Sequence, residues 1–270
     1  MQTSNIMGDD QHICYYHYYM PTVTVVIPAK NEEHTLPYLL TALSKQTLQP
    51  EEVIVADAKS TDKTREIVRR FGARVVDGGM PGVGRNRGAA VAKSELILFL
   101  DADVTLQERD FIKKAVQEFE ERELDIASAN LYVTDGKMYD KVCHDFSNLY
   151  VRMWGEVWPH GHGCCMLVRR VLHERIGGFD EQAKLSEDRE YSMRAAKEGK
   201  FGFLNSVKIG LNTRRFDQEG RMGLAMKYVL AEMHLFFLGP IYHDRFNYRF
   251  DYDEKVIRKM KEKMKEWQKF

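Results

Sequence analysis

Residues 95–106 read ELILFLDADVTL, an almost unbroken apolar run that ends in two carboxylates, Asp101 and Asp103, one residue apart. A run of this length with no polar interruption reads as a strand buried within a sheet. Its end admits two explanations. Asp favours turns and often closes strands for that reason alone. Two hard oxygen ligands at the mouth of a sheet also suit a divalent metal and a phosphorylated ligand. Because side chains alternate along an extended chain, both carboxylates are expected to point the same way.

Working outward, short runs rich in Val and Ile alternate with stretches of helical spacing. TVTVVIP (22–28), EEVIVAD (51–57), ARVVDGG (73–79), LDIASANLYV (124–133) and CMLVRR (165–170) read as further strands. Between them, EEHTLPYLLTALSKQ places Leu36, Leu39, Leu40 and Leu43 at helical intervals. STDKTREIVRRFG predicts a helix capped by Ser60 or Thr61 and stopped by Gly72. RNRGAAVAKS, DFIKKAVQEFEER, VLHERIGGFDE and SEDREYSMRAAKEG, the last beginning near Ser186, complete the predicted helices, whereas residues 137–165 read as less regular. Strands alternating with helices imply an α/β fold around a mostly parallel, right-handed sheet flanked by helices. Such sheets bind ligands beyond the carboxyl ends of their strands. Four successive strand ends carry polar chemistry here: PAKNEE, ADAKSTD, GMPGVGRNRG and DADVT.

The chain has 270 residues, 44% hydrophobic and 30% charged, enough for one large α/β domain. Forty basic residues balance forty acidic ones, so no global field draws it to nucleic acid or an anionic surface. Cys14, Cys143, Cys164 and Cys165 lack zinc-ligand spacing, which suits a reduced, cytoplasmic setting. Residues 1–20 lack a signal peptide's apolar region and are expected to form a disordered extension, with Met20 an alternative start to Met1. GVGRNRG is GxGxxxG rather than the dinucleotide fingerprint, which disfavours a nicotinamide enzyme. It offers Arg85 and Arg87 near an expected helix N-terminus, a good place for phosphate. Glu187 and Asp188 fall in the first turn of a helix, where the dipole favours carboxylates and where one could accept a proton from an attacking hydroxyl.

The ordered blocks TVVIPAKNEE, VIVADAKSTDKT, GVGRNRGAAVA, LILFLDADV, IGGFDE and SEDREYSMRAAKEG resemble family-2 glycosyltransferases of the GT-A fold over residues 23 to about 204. The resemblance implies that Pro28, Ala29, Glu32 and Asp57 hold the nucleotide base of a nucleotide-diphosphate sugar, and that Arg85 lies near the nucleotide or diphosphate. It implies that Asp101 meets the ribose, that Asp103 with Asp101 holds Mn²⁺ or Mg²⁺, and that Asp188 is the general base of an inverting displacement. Were the acceptor a lipid phosphate, already ionised, no base would be needed. Departures from the family are informative. NTRRFDQEG stands where processive members carry Q-x-x-R-W, which argues against polymer synthesis. No His falls near residues 205–220 to complete a metal site, leaving water and diphosphate, or His160 or His162.

Trp154, Trp158, His160 and Glu187 are the acceptor-side candidates, the tryptophans through stacking on a sugar or covering a lipid. Residues 222–238 are apolar nearly all round, yet too short and too interrupted by Lys227, Glu232 and His234 for a membrane span. In 254–270, Val256, Met260, Met264 and Trp267 line up among lysines as in an interfacial helix. The expected organisation is therefore an extension (1–20), a GT-A domain (21–218) and a C-terminal helical extension (219–270) that contacts the cytoplasmic face of a membrane or a partner. The main rival is a haloacid-dehalogenase-like phosphohydrolase with Asp101 as nucleophile, but three βα units precede that strand and a later GDxxxD is missing. A glycoside hydrolase would leave the glycine loop and the Asp pair idle. A non-catalytic nucleotide-sugar-binding protein is the remaining alternative.

Overall fold

The computed structural model describes residues 20–134, 138–155, 159–243 and 245. Its strands are β1 (Val23–Ala29), β2 (Glu52–Asp57), β3 (Arg74–Asp77), β4 (Leu96–Leu100), β5 (Ile126–Val133), β6 (Cys165–Arg169) and β7 (Phe201–Leu211). The helices are α1 (Leu36–Ser44), α2 (Thr64–Arg70), α3 (Pro81–Ala89), α4 (Phe111–Glu121), α5 (Met138–Trp154), α6 (Arg170–Arg175), α7 (Glu187–Glu198), α8 (Arg214–Glu219) and α9 (Arg221–Leu238).

One sheet holds all seven strands in the order β3-β2-β1-β4-β6-β5-β7. β4 lies between β1, which it pairs in parallel, and β6, which is antiparallel to both β4 and β5. β5 and β7 run parallel. The carboxyl ends of β1, β2, β4, β5 and β7 and the amino end of β6 therefore share one edge. All five residues of β4 are buried, because its side chains feed cores on both faces. Leu98 and Leu100 join Val25, Ile27, Leu39 and Phe119 on one face; Ile97 and Phe99 join Val26, Met166 and Tyr191 on the other. Burying each such side chain contributes roughly 1.5–3 kcal/mol, so this apolar run is held as the centre of the sheet.

Several local expectations change. α3 starts at Pro81 and not near Arg85, with Pro at a position where its missing N–H is no loss. Arg85 thus sits in the second turn rather than at the helix N-terminus. Gly88 serves packing, since a Cβ there would stand 2.3 Å from Val26 Cγ1. Neither expected cap of α2 holds. Ser60 Oγ instead accepts from Asn31 N–H (2.8 Å), and the Thr64 N–H is met by Asp62 Oδ1 (2.9 Å). Gly72 does close that helix, at φ +72°. Residues 138–154 form a 17-residue helix, not an irregular segment, and β7 is a strand the sequence reading did not anticipate. Residues 1–19, Trp158 and 246–270, with the expected interfacial helix, lie outside the described residues.

One buried histidine makes a pH prediction. His173 of α6 packs against Phe99, Phe179 and Tyr191, with Nδ1 2.9 Å from Tyr191 Oη. Burial pushes its pKa down from 6.5 to about 4. The unfolded chain takes up the proton first, so this group's contribution is whole above pH 6.5 and is lost as pH falls toward 4. By about pH 4.5 the loss amounts to roughly 2–3 kcal/mol. Denaturant melts at the two pH values should show it, with a shallower dependence in His173→Gln. An unchanged slope in the variant would place the acid sensitivity elsewhere.

Candidate functional site

The shared strand edge gathers most of the residues singled out above. Pro28 and Ala29 close β1, and the chain then turns through Asn31 at φ +55° to Glu32. Asp57 closes β2 with its side chain fully buried. Its Oδ2 accepts from Ser60 N–H at 3.2 Å and lies 3.5 Å from Arg65 Nε, while Oδ1 is buried without a hydrogen-bond partner. A buried acceptor left unmet at a strand end is suited to a donor from outside the protein. Asp101 and Asp103 occupy the turn after β4, beside the segment that enters β6, where Asp101 N–H bonds Cys164 O at 3.2 Å.

Arg85 organises one half of the site. Its Nη1 donates to Glu187 Oε1 at 2.8 Å, and its Nη2 donates to Asp101 Oδ1 at 2.9 Å and to the Gly163 carbonyl at 3.0 Å. The guanidinium also lies over the Phe179 ring, 5.3 Å from its centroid. Burial works against this charge, but Asp101, Glu187 and Asp188 outweigh it and raise the pKa of Arg85. Gly163 is the joint between Arg85 and the start of α7. Its N–H donates to Asp188 Oδ2 at 2.8 Å, and a Cβ at this position would lie 2.8 Å from that oxygen. Asp188 Oδ1 accepts from Arg189 N–H at 2.8 Å. Ser192, one turn on, donates to Asp188 O at 2.7 Å and accepts from Gly161 N–H at 3.1 Å.

Arg214, at the start of α8 just beyond β7, organises the other half. Its Nη2 stands 2.8 Å from Asp103 Oδ2 and 3.0 Å from Glu32 Oε1, and its Nη1 is 3.3 Å from Glu32 Oε2. Asn212 Nδ2 donates to Asp103 O at 3.2 Å. The two carboxylates of the Asp pair thus each meet a nearly buried arginine. Burial raises the pKa of Glu32 against the pull of Arg214, and repulsion from Asp103 adds to the rise. Loss of hydration likewise raises Asp101, opposed by Arg85 and reinforced by Asp103 and Glu187.

The donor chemistry fits a hard divalent cation held by one or two carboxylates and completed by diphosphate and water. Asp101 and Asp103 keep 37% and 23% of their side chains accessible from the cleft, which leaves oxygen edges for such an ion. A closed protein cage is absent: among the described residues no three His, Cys, Asp or Glu are grouped to hold a metal. Both histidines considered as a third ligand make contacts within the protein. His162 Nδ1 lies 3.2 Å from Ala129 O, with burial depressing its pKa to about 4. His160 Nε2 is 3.2 Å from Glu232 Oε2 of α9 and 2.5 Å from Arg189 Nη1, and Arg189 pairs with Glu232. Glu187 is a counterion of Arg85, 14% exposed. Trp154 ends α5, and its side chain, like all of Trp158, lies outside the described residues.

Arg214, Asn212, Gly163, Ser192 and Glu232 were missed by the sequence reading. The usable signal for Arg214 was the apolar alternation of FGFLNSVKIGL, which marks β7 and so puts NTRR at the same edge.

A family model described as Glycosyl transferase family 2 matches residues 24–177. The 4,4'-diaponeurosporenoate glycosyltransferase of Staphylococcus haemolyticus is 36% identical over 107 residues, covering 36% of this chain and 28% of that protein. Its counterpart from Staphylococcus aureus (strain bovine RF122 / ET3-1) is 33% identical over 107 residues, 37% of this chain and 28% of its own. The similarity thus spans less than a third of these relatives. Among solved structures, the mannosyltransferase PcManGT from Pyrobaculum calidifontis, in complex with GDP-Man and Mn²⁺, superposes with a TM-score of 0.62 at 24% identity, over 80% of this chain and 62% of that one. S. aureus TarS 1-349 in complex with UDP gives 0.59 at 21% identity, over 79% and 65%. These likenesses show that the fold is GT-A. With its model matched over more than half of the residues and its fold shared, the chain belongs to glycosyl transferase family 2.

Proposed function

We propose that this protein moves a sugar from a nucleotide-diphosphate sugar to an acceptor hydroxyl or lipid phosphate, by a metal-dependent, inverting displacement. The observation that carries the reading is the convergence of Asp57, Asp101, Asp103 and Asp188 on one sheet edge, with Asp101 joined to Asp188 through Arg85 and Gly163. In this reading Pro28, Ala29 and Glu32 border the base and Asp57 Oδ1 accepts one of its N–H groups. Asp101 meets the ribose, and Asp103 with Asp101 holds Mn²⁺ or Mg²⁺, which when bound neutralises the departing diphosphate. Arg85 and Arg214 supply the chain's own fixed positive charge beside that group. Asp188 accepts the acceptor hydroxyl's proton, and His160, Glu187, Trp154 and Trp158 belong to the acceptor side. The phosphohydrolase alternative would need Asp101 free to attack, whereas it is paired with Arg85 at 2.9 Å.

We assign residues 21–218 to the transferase unit and 219–270 to a helical extension. Its setting in this reading is the cytoplasm, at the inner face of a membrane, supported by free thiols at Cys164 and Cys165. Among the described residues no helix is long and apolar enough to cross a bilayer. The relatives are named for 4,4'-diaponeurosporenoate, and the structural neighbours hold UDP or GDP-Man, so the donor base is a question for experiment.

Thermal stability with UDP, GDP, CDP and dTDP, each with and without Mn²⁺, tests the reading in wild type and Asp103→Ala. One nucleotide should raise stability only with metal, by about 2.7 kcal/mol at a hundredfold excess over Kd, and the effect should vanish in the variant. No response to any nucleotide would sink the proposal.

A further inference from the structure

α9 carries an apolar face on its outward side as well as its inward one. Met222, Met226, Val229, Met233, Phe236 and Phe237 are 52–82% exposed. Its charged side chains, Arg221, Lys227 and Glu232, are only 29–37% exposed and flank that face. They are paired within the protein: Arg221 makes a two-bonded pair with Asp140 of α5 (2.7 and 2.9 Å), Lys227 bonds Glu219 at 2.6 Å, and Glu232 pairs with Arg189 and His160. Leu224, Ala231 and Leu235 form the narrow buried stripe, the last two packed with Leu185 and Ile241. Beside its first turn, Met138 and Val142 of α5 are also 79% and 60% exposed. An apolar face this large is rare on a monomer without a binding role.

We infer that the outward face of α9 is the surface by which this protein docks on an anionic lipid bilayer. The inference rests on the peripheral-membrane part of the proposed function and names its residues. Charge selects lipid over a second copy of the chain. Residues 255–270, separated from α9 by sixteen residues, carry seven Lys or Arg against two Glu in a chain whose net charge is zero. An apolar helix face in a chain that also carries a basic stretch matches an acyl boundary beneath anionic headgroups, each nearby Lys or Arg adding about 1 kcal/mol. A self-interface has no use for concentrated positive charge. The docked face is also wired to the site: Glu232, on the flank of the same helix, reaches Arg189, the residue after Asp188. Docking would therefore fix the acceptor side of the cleft toward the lipid.

Co-sedimentation of the full chain with phosphatidylcholine vesicles containing about 30% phosphatidylglycerol, without nucleotide, tests this independently of turnover. Wild type should partition onto them at least about tenfold more strongly than onto pure phosphatidylcholine. Met226→Glu/Met233→Glu should lose about tenfold or more of that binding while melting like wild type. Phe236→Ser/Phe237→Ser is the second variant should the first fail to fold. Equal binding by wild type and the folded variants, or no binding by wild type, would overturn the inference. A dimer seen by light scattering that dissociates in the variants, without vesicle binding, would assign the face to a second copy. A positive vesicle result with no nucleotide response would leave the docking surface standing and the transferase reading fallen.

Discussion

Asp188→Asn is expected to lower kcat by about 10²–10⁴-fold, the range that a positioned general base contributes, with donor KM changed by less than about threefold. The amide keeps the volume of the carboxylate and loses its capacity to take a proton. Its neighbour cannot substitute, because Glu187 is held by Arg85 at 2.8 Å and is largely enclosed. Asp188 is fixed by two backbone N–H groups, from Gly163 and Arg189, each at 2.8 Å. Those bonds orient the carboxylate and leave lone pairs for an acceptor hydroxyl. They also give the substitution a structural effect, since an amide can present only one acceptor oxygen to two donors. That loss is about 1–3 kcal/mol of stability. The two effects separate cleanly when kcat is measured well below the variant's melting temperature. A variant that is less stable yet turns over normally would make Asp188 a positioning residue for the Gly163 loop. The same result is expected if the acceptor is an ionised lipid phosphate, and the acidic limb of the pH–rate profile would then be missing in wild type as well.

What the sequence revealed of this fold followed from how deeply each element is buried. Strands covered on both faces need apolar side chains at every position, so β1, β2 and β4 announce themselves as continuous runs, and their polar ends mark the edge where the site lies. α5 was hidden for the opposite reason. Its exposed side includes Met138, Val142, Leu149 and Met153, so the usual contrast between apolar inside and polar outside is blurred. α3 was misplaced because Pro81, Gly82 and Gly84 argue locally for a loop, while tertiary contact between Gly88 and Val26 decides for a helix lying close on the sheet. β7 is harder to read because Gly202, Asn205, Ser206 and Gly210 interrupt its apolar run, and its pairing with β5 shifts register between Ala129 and Asn130. The acidic site residues were legible because they stand at strand ends. Their arginine partners were not, for pairings such as Glu32 with Arg214 span 182 positions and exist only once the sheet has formed.

Arg85→Met is expected to destabilise the protein by about 3–5 kcal/mol, the usual effect of removing one partner from a buried ion pair. The methionine fills most of the apolar stem's space and retains contact with Phe179, so the loss isolates the guanidinium. Three acceptors then go unmet at once: Asp101 Oδ1, Glu187 Oε1 and the Gly163 carbonyl. Glu187, 14% exposed, is the more enclosed carboxylate left behind, while Asp101, 37% exposed, loses the cation that opposes the repulsion of Asp103 and Glu187. For a chain of this size the melting temperature should fall by roughly 6–15 °C. Arg85→Lys should recover only part of the loss, since a single ammonium cannot reproduce the planar fork that reaches Glu187 with one nitrogen and Asp101 with the other. Adding Asp101→Asn to Arg85→Met removes the stranded charge, so the double variant should be more stable than the sum of the single effects predicts, by about 1–3 kcal/mol. Strict additivity in that cycle would show that Arg85 acts through Glu187 and the Gly163 carbonyl and not through Asp101. Coupling would show that the first Asp of the pair is held ready by a cation belonging to the chain itself, before any donor arrives.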